Sequence, residues 1–128
     1  MAKKSSPRHV TPDQLNPIIH ERLRLGILSA LVVQESLTFT ELRDLLGATD
    51  GNLSVQARRL EDAGYVRCEK RFVGRKPKST YRLSASGRTA LEGYLETLSS
   101  LLPEAGAVRS AGKDGTIRNA MQPLPSHG

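Results

Sequence analysis

The sequence predicts a mostly α-helical domain that carries one small β-hairpin. Apolar residues recur with helical spacing in four stretches, at 17–34, 39–46, 50–63 and 85–102, each opened by a side chain suited to capping. Between Tyr65 and Leu83 the period drops to two, and a cluster of glycine, proline and three cations divides that run into two arms. With 128 residues, 38% of them hydrophobic, the chain is sized for one core and not two, so the flanks are expected to be appendages.

Residues 1–14 are polar and basic, and Pro7 and Pro12 oppose a helix, so a flexible arm is expected. Its Lys3, Lys4 and Arg8 either touch phosphates or simply keep a tail solvated. Asn16-Pro17 is a helix-opening pair, because asparagine caps and proline is tolerated in the first turn. The helix should run to residue 34 with Ile18, Ile19, Leu23, Ile27, Leu28, Leu31 and Val32 inward, and a kink near His20 is left open. Leu25 and Val33 widen the apolar surface beyond one stripe, which suggests a second contact such as another subunit. Gly26 within it costs about 1 kcal/mol relative to alanine, so a close approach is expected there.

Leu37 to Phe39 should be extended, and Thr38 with Glu41 forms a capping box that opens a second helix, with Leu42, Leu45 and Leu46 inward. Gly47 stops it, Ala48 turns, and Thr49 caps a third helix that Gly64 ends in left-handed conformation. Asp50 places negative charge at the positive end of that helix. Leu53, Ala57 and Leu60 form its buried stripe. The opposite face carries Asn52, Ser54, Val55, Arg58 and Arg59, with Gly51 leaving room for a close approach. Arginine pairs with guanine, asparagine with adenine, serine with phosphate, and valine meets the thymine methyl, so this face suits a DNA groove. Taken alone it is equally an ordinary solvated face. Two short helices joined by a short turn containing glycine form a helix-turn-helix, and that context favours DNA.

Val66, Cys68 and Phe72 alternate inward on the first arm of the hairpin, and Tyr81 and Leu83 on the second, Ser79 to Leu83. The turn, Val73 to Lys78, concentrates Arg75, Lys76 and Lys78. Ordinary hairpin turns favour neutral residues, so the cations suggest contact with phosphates or a minor groove; the alternative is an edge kept soluble by charge. Ser84 caps a last helix to Leu102 with Leu91, Tyr94, Leu95, Leu98, Leu101 and Leu102 on one stripe. That stripe either reaches a second subunit or packs within the monomer against the first helix. Residues 103–128 show no sustained pattern and are expected to be disordered.

Composition narrows the function. Nineteen Lys+Arg against 13 Asp+Glu give a net charge of +6, which favours polyanionic partners. Without tryptophan and with 4% aromatic residues, the chain lacks stacking platforms for single strands or RNA, so double-stranded DNA fits better. No apolar run approaches bilayer length and no secretory segment opens the chain, so a cytoplasmic location is expected. The lone Cys68 excludes an internal disulfide, and His9, His20 and His127 are scattered, so neither a metal nor another cofactor is expected. Cys68 reads as core, with a redox switch as its alternative. No nucleophile-base pairing or phosphate loop points to an enzyme.

Residues 15–102, in the order helix, short extended segment, helix, helix, strand, basic turn, strand, helix, resemble the winged helix-turn-helix DNA-binding family of small transcription regulators related to the MarR and ArsR groups. The resemblance is carried by Phe-Thr-Glu-Leu-Arg-Asp-Leu-Leu-Gly at 39–47, Thr-Asp-Gly-Asn-Leu-Ser at 49–54, Leu-Glu-Asp-Ala-Gly-Tyr-Val at 60–66, Phe-Val-Gly-Arg-Lys-Pro-Lys at 72–78 and Thr-Tyr-Arg-Leu-Ser-Ala-Ser-Gly-Arg at 80–88. It implies a homodimer built from the first and last helices through Leu23, Ile27, Leu91, Tyr94, Leu95, Leu98, Leu101 and Leu102, reading a pseudo-palindromic site. It also implies that Asn52, Ser54, Val55, Arg58 and Arg59 enter the major groove while Arg75, Lys76 and Lys78 reach phosphates or the minor groove. Val55 and Gln56 depart from the more basic or histidine-bearing pair associated with the family, so base preference does not transfer. The alternative from another class is a winged-helix module that binds a protein partner and no specific DNA.

Overall fold

The computed structural model describes residues 10–112. The cations expected in the basic arm, Lys3, Lys4 and Arg8, and the tail beyond residue 112 lie outside them. A short 3-10 turn at Pro12–Gln14 precedes α1 (Arg22–Val33), β1 (Leu37–Thr38), α2 (Phe39–Leu46), α3 (Asp50–Asp62), β2 (Val66–Val73), β3 (Lys76–Leu83), α4 (Ala85–Leu101) and α5 (Ala105–Gly112). The strands form one antiparallel sheet in the order β1-β3-β2. Leu37 pairs with Tyr81 and Val66 with Leu83, so the extended segment before α2 becomes the sheet's third strand. This is a mostly helical winged-helix fold.

The core gathers Ile19, Leu23, Ile27, Leu28 and Leu31 with Leu42 of α2, Leu53, Ala57 and Leu60 of α3, and Leu91 and Tyr94 of α4. Thus α1 is the central helix, in contact with α2, α3, β3 and α4. Gly26 does permit the close approach expected of it, since a Cβ there would lie 3.1 Å from the Leu46 side chain. Cys68 is half-buried opposite Tyr81 and packs on this core. Burial, together with neighbouring Cys68, pushes the Tyr81 hydroxyl up from its ordinary range.

The first helix begins later than its sequence suggests. Asn16 does cap, its Oδ1 accepting from the Ile18 and Ile19 amides at 2.8 and 3.3 Å, but what it caps is a single turn. Glu21 then adopts an extended conformation and caps α1, its side chain accepting from the Arg24 amide. The reason lies in Arg24, whose guanidinium donates to the Ile18 and Pro17 carbonyls that a continuous helix would use for its own amides.

Three other expectations change. β3 starts at Lys76, which leaves only Gly74 and Arg75 as the turn, with Gly74 at φ 68 in the first central position where primed hairpin turns use glycine. Pro77 is tolerated inside β3 because β1 pairs only with Thr80 and Tyr81, so the outer half of β3 has a neighbour on one side. Phe72 shares a face with Val66 and Cys68 but stands where the hairpin has run past the helices, and it is 72% exposed. The segment expected to be disordered after Pro103 contains α5 at Ala105–Gly112.

The end of α3 and the start of α4 are locked together. Gly64, at φ 83, closes α3 as its amide donates to Glu61 O and the Tyr65 amide donates to Leu60 O, both at 2.9 Å. Ser84 Oγ accepts from the Gly87 amide, capping α4, and donates to Gly64 O at 2.6 Å. Gly87 is therefore pressed on the loop: a Cβ there would stand 2.1 Å from Tyr65 O. Gly87→Ala should destabilise the fold by about 1–3 kcal/mol despite alanine's higher helix propensity. Urea denaturation checks this through a lower midpoint at unchanged slope; an unchanged midpoint would show that the loop yields freely.

Candidate nucleic-acid interface

Helices α2 and α3 are joined by Gly47, Ala48 and Thr49. Thr49 caps α3 by accepting from the Asn52 amide at 3.1 Å, and Asp50 follows in its first turn. Arg43 of α2 reaches across the turn to Asp50 at 3.0 Å and also contacts Asp44 at 3.1 Å. These carboxylates, Asp50 foremost, raise the Arg43 guanidinium above its ordinary range. In solvent the pairs orient the two helices more than they hold them together.

With Leu53, Ala57 and Leu60 in the core, the opposite side of α3 is exposed by geometry. Asn52, Ser54, Val55, Arg58 and Arg59 all lie on that exposed side. Arg58 Nε donates to Asp62 Oδ1 at 3.1 Å, which leaves the terminal nitrogens of its fork outward. Gln56, at the border of the buried stripe, has its amide nitrogen 3.2 Å from Asn52 Oδ1, and its carbonyl accepts from buried Arg24.

The hairpin carries Arg75 in its turn and Lys76 and Lys78 on β3, all exposed. Register adds cations that the sequence reading passed over. Arg71 stands directly opposite Lys78, and Arg67 opposite Arg82. Like charges so placed destabilise a hairpin. Arg71 and Arg82 offset this with Glu69 at 3.2 Å and Glu35 at 3.5 Å. Between hairpin and helices runs an open cleft of about 750 Å³, with Lys70, Lys76 and Lys78 on one wall and Thr40, Asp50 and Ser54 on the other. The hairpin lysines thus border the same space as the start of α3, which reaches it through Asp50 and Ser54, with Glu41 and Arg43 of α2 beside them; Arg58 and Arg59 lie outside it.

The residues assigned to a subunit contact divide. Leu23, Ile27, Leu91 and Tyr94 are buried inside the monomer, the last with its hydroxyl 2.8 Å from His20 Nδ1, so they have no surface left for a partner. Leu95 and Leu102 are 50% and 57% exposed, and Leu98 and Leu101 are half-buried.

Arg24 and Gln56 were missed as site residues, along with Lys70 and Arg71. The signal for Arg24 was present, since it stands at helical spacing with Leu28 and Leu31 on the apolar stripe of α1, where a charge needs a reason. Among the described residues no helix is long and apolar enough to cross a membrane, and no three of His, Cys, Asp and Glu gather as metal ligands would.

A helix-turn-helix flanked by a basic hairpin defines the class, a winged helix-turn-helix domain. The chain belongs to the winged helix DNA-binding domain family, whose model matches residues 23–102. An uncharacterized protein of Methanocaldococcus jannaschii is 31% identical over 78 residues, which cover 61% of this chain and 85% of that protein. A transcriptional regulator homologue from Pyrococcus horikoshii OT3 superimposes with a TM-score of 0.61 at 26% identity, over 66% of this chain and 83% of its own. PadR of Bacillus subtilis, solved in complex with operator DNA, shares the fold with a TM-score of 0.53 at 21% identity, over 59% of this chain and 48% of its own.

Thr49→Ala, which leaves the first-turn amides of α3 without their cap, should cost about 1 kcal/mol of stability. Thermal and urea unfolding measure it; no loss would mean that water or Asp50 replaces the cap fully.

Proposed function

We propose that this chain is a sequence-specific double-stranded DNA-binding transcription regulator that acts as a homodimer. In this reading α3 enters the major groove, and Arg75, Lys76 and Lys78 contact phosphates or the minor groove. The observation that carries it is the placement of Ser54, at the start of the exposed α3 face, and of the hairpin lysines Lys70, Lys76 and Lys78 around one cleft. Donors on α3 face outward where base edges would lie, and the lysines stand one element away, where a backbone flanking that groove would pass. Crowded like charges on the hairpin gain from an anion that separates them. PadR, which shares the fold, is solved in complex with operator DNA, and that supports duplex DNA as the ligand.

The homodimer rests on α4. Leu98 still packs on the monomer core, but Leu95 and Leu102 are exposed and Leu101 is half-buried, and a second copy would cover them. Two reading helices related by a two-fold axis would recognise a pseudo-palindromic site.

Fluorescence anisotropy with duplex DNA from upstream of the chain's own gene, beside a scrambled duplex and across several salt concentrations, tests the reading. A preference of about a thousandfold or more with a steep salt slope is expected. Neutralising Arg75, Lys76 and Lys78 together should lower that slope by about 3, whereas Arg58→Ala should cost about 1–3 kcal/mol at one base position. A partner protein that binds equally well with and without the three cations, in a chain with no DNA affinity, would favour the interaction module instead.

Sedimentation velocity tests the dimer. Leu95→Glu with Leu102→Glu, both at exposed positions, should convert a dimer to a folded monomer. An unchanged mass would remove this surface from the assembly.

A further inference from the structure

The hydrogen bonds that link the core to the α3 surface have a direction, and the direction is chemically forced. Arg24 is only 7% exposed, and among the described residues no carboxylate lies within ion-pair distance of it. Its guanidinium donates to Ile18 O, to Pro17 O at 3.4 Å and to the side chain of Gln56. A guanidinium has five N–H donors and no acceptor, so the atom of Gln56 that faces it must be the carbonyl oxygen. The Gln56 amide nitrogen is thereby turned outward. It donates to Asn52 at 3.2 Å, and the Asn52 atom that receives it must in turn be Oδ1. With Oδ1 turned toward Gln56, the side of the Asn52 amide that faces away from it is the Nδ2 group, two donors.

We propose that Arg24, a residue that touches no DNA, determines base selectivity at the position read by Asn52, by fixing Gln56 and Asn52 in one amide orientation. This rests on the DNA-binding reading above. In the major groove both purines present an acceptor at N7, whereas cytosine presents the N4 amino donor. An Asn52 that points Nδ2 outward therefore favours a base with a major-groove acceptor, a purine N7 or thymine O4, and rejects cytosine, where donor would meet donor. Arg24 is a positioning residue, acting through Gln56. Without it both amides are free to turn over, and an asparagine that turns freely accepts from cytosine as readily as it donates to a purine. Burial gives the device its strength: the guanidinium cannot take its donors to water, so Nη1 stays on Gln56 while Nε and Nη2 are taken by the Ile18 and Pro17 carbonyls.

Gln56→Glu inverts the relay without dismantling it. A carboxylate still accepts from Arg24, but its second oxygen also accepts, so Asn52 must turn Nδ2 toward it and present Oδ1 to the groove. Arg24→Met removes the donor while keeping the apolar stem. The experiment is selection from a randomised duplex library with the full-length wild-type protein and both variants, with thermal unfolding confirming that each is folded. The wild-type protein should enrich a purine over cytosine at one position in each half-site by about tenfold, the discrimination expected for one base contact. Gln56→Glu should reverse that position to cytosine and leave the others as they were, even where its added negative charge lowers overall affinity. Arg24→Met should flatten the same position alone. Identical base preferences in all three proteins, or a loss of enrichment spread evenly over every position, would overturn the proposal. Failure of the wild-type protein to enrich any sequence would instead reject the DNA-binding reading, and this inference would fall with it.

Discussion

The arrangement depends on one buried guanidinium. Arg24 sits on the apolar face of α1, the helix that contacts α2, α3, β3 and α4. A charge in that position is costly unless its donors are satisfied, and the chain satisfies them from two sides. The Ile18 and Pro17 carbonyls come from the turn before α1, and the Gln56 carbonyl comes from α3. One side chain thereby holds the turn that precedes α1 and ties α3 to the centre of the domain. Asn16 strengthens the same region by donating to the Tyr65 hydroxyl at 2.9 Å, just beyond the end of α3. The surface of α3 is therefore mounted on a rigid body, which suits a face that must present side chains in fixed directions.

The hairpin follows the opposite logic. Its inner end is core, with Val66 and Tyr81 buried, while its outer end leaves the helices behind and exposes Phe72 and Val73. Cross-strand pairing there sets cation against cation, an arrangement that lowers stability and raises local positive potential. A domain with a small core tolerates this because the turn beyond Val73 carries none of the packing. Stability and charge are thus segregated along the length of two strands.

On α4 one apolar stripe serves two purposes. Leu91 and Tyr94 close the monomer core and Leu98 still packs against it, while Leu95 and Leu102 lie at the surface. Nothing in the side chains changes between these positions. What changes is whether a neighbouring element lies opposite.

Local chemistry was legible in the sequence by itself: the caps at Thr38, Thr49 and Ser84, the stops at Gly47 and Gly64, the buried stripe of α3 and hence its exposed face, and the net positive charge. These are set within a helical turn or a strand pair, so nearby residues suffice to determine them. The tertiary structure decided the rest because each case depends on residues far apart in the chain. Periodicity assigned Leu23, Ile27, Leu91 and Tyr94 to an apolar face but could not say that the monomer would use it up. Alternation put Phe72 on the inner side without revealing that the core ends before reaching it. Gly87 looked like an ordinary residue of an early helical turn, and only the loop at Tyr65, brought against it in space, leaves no room for a Cβ. The donors of Arg24 needed acceptors, and the one at Gln56, 32 residues away, emerged only when the helices packed, because a charge buried in a core takes whatever oxygen the fold places beside it.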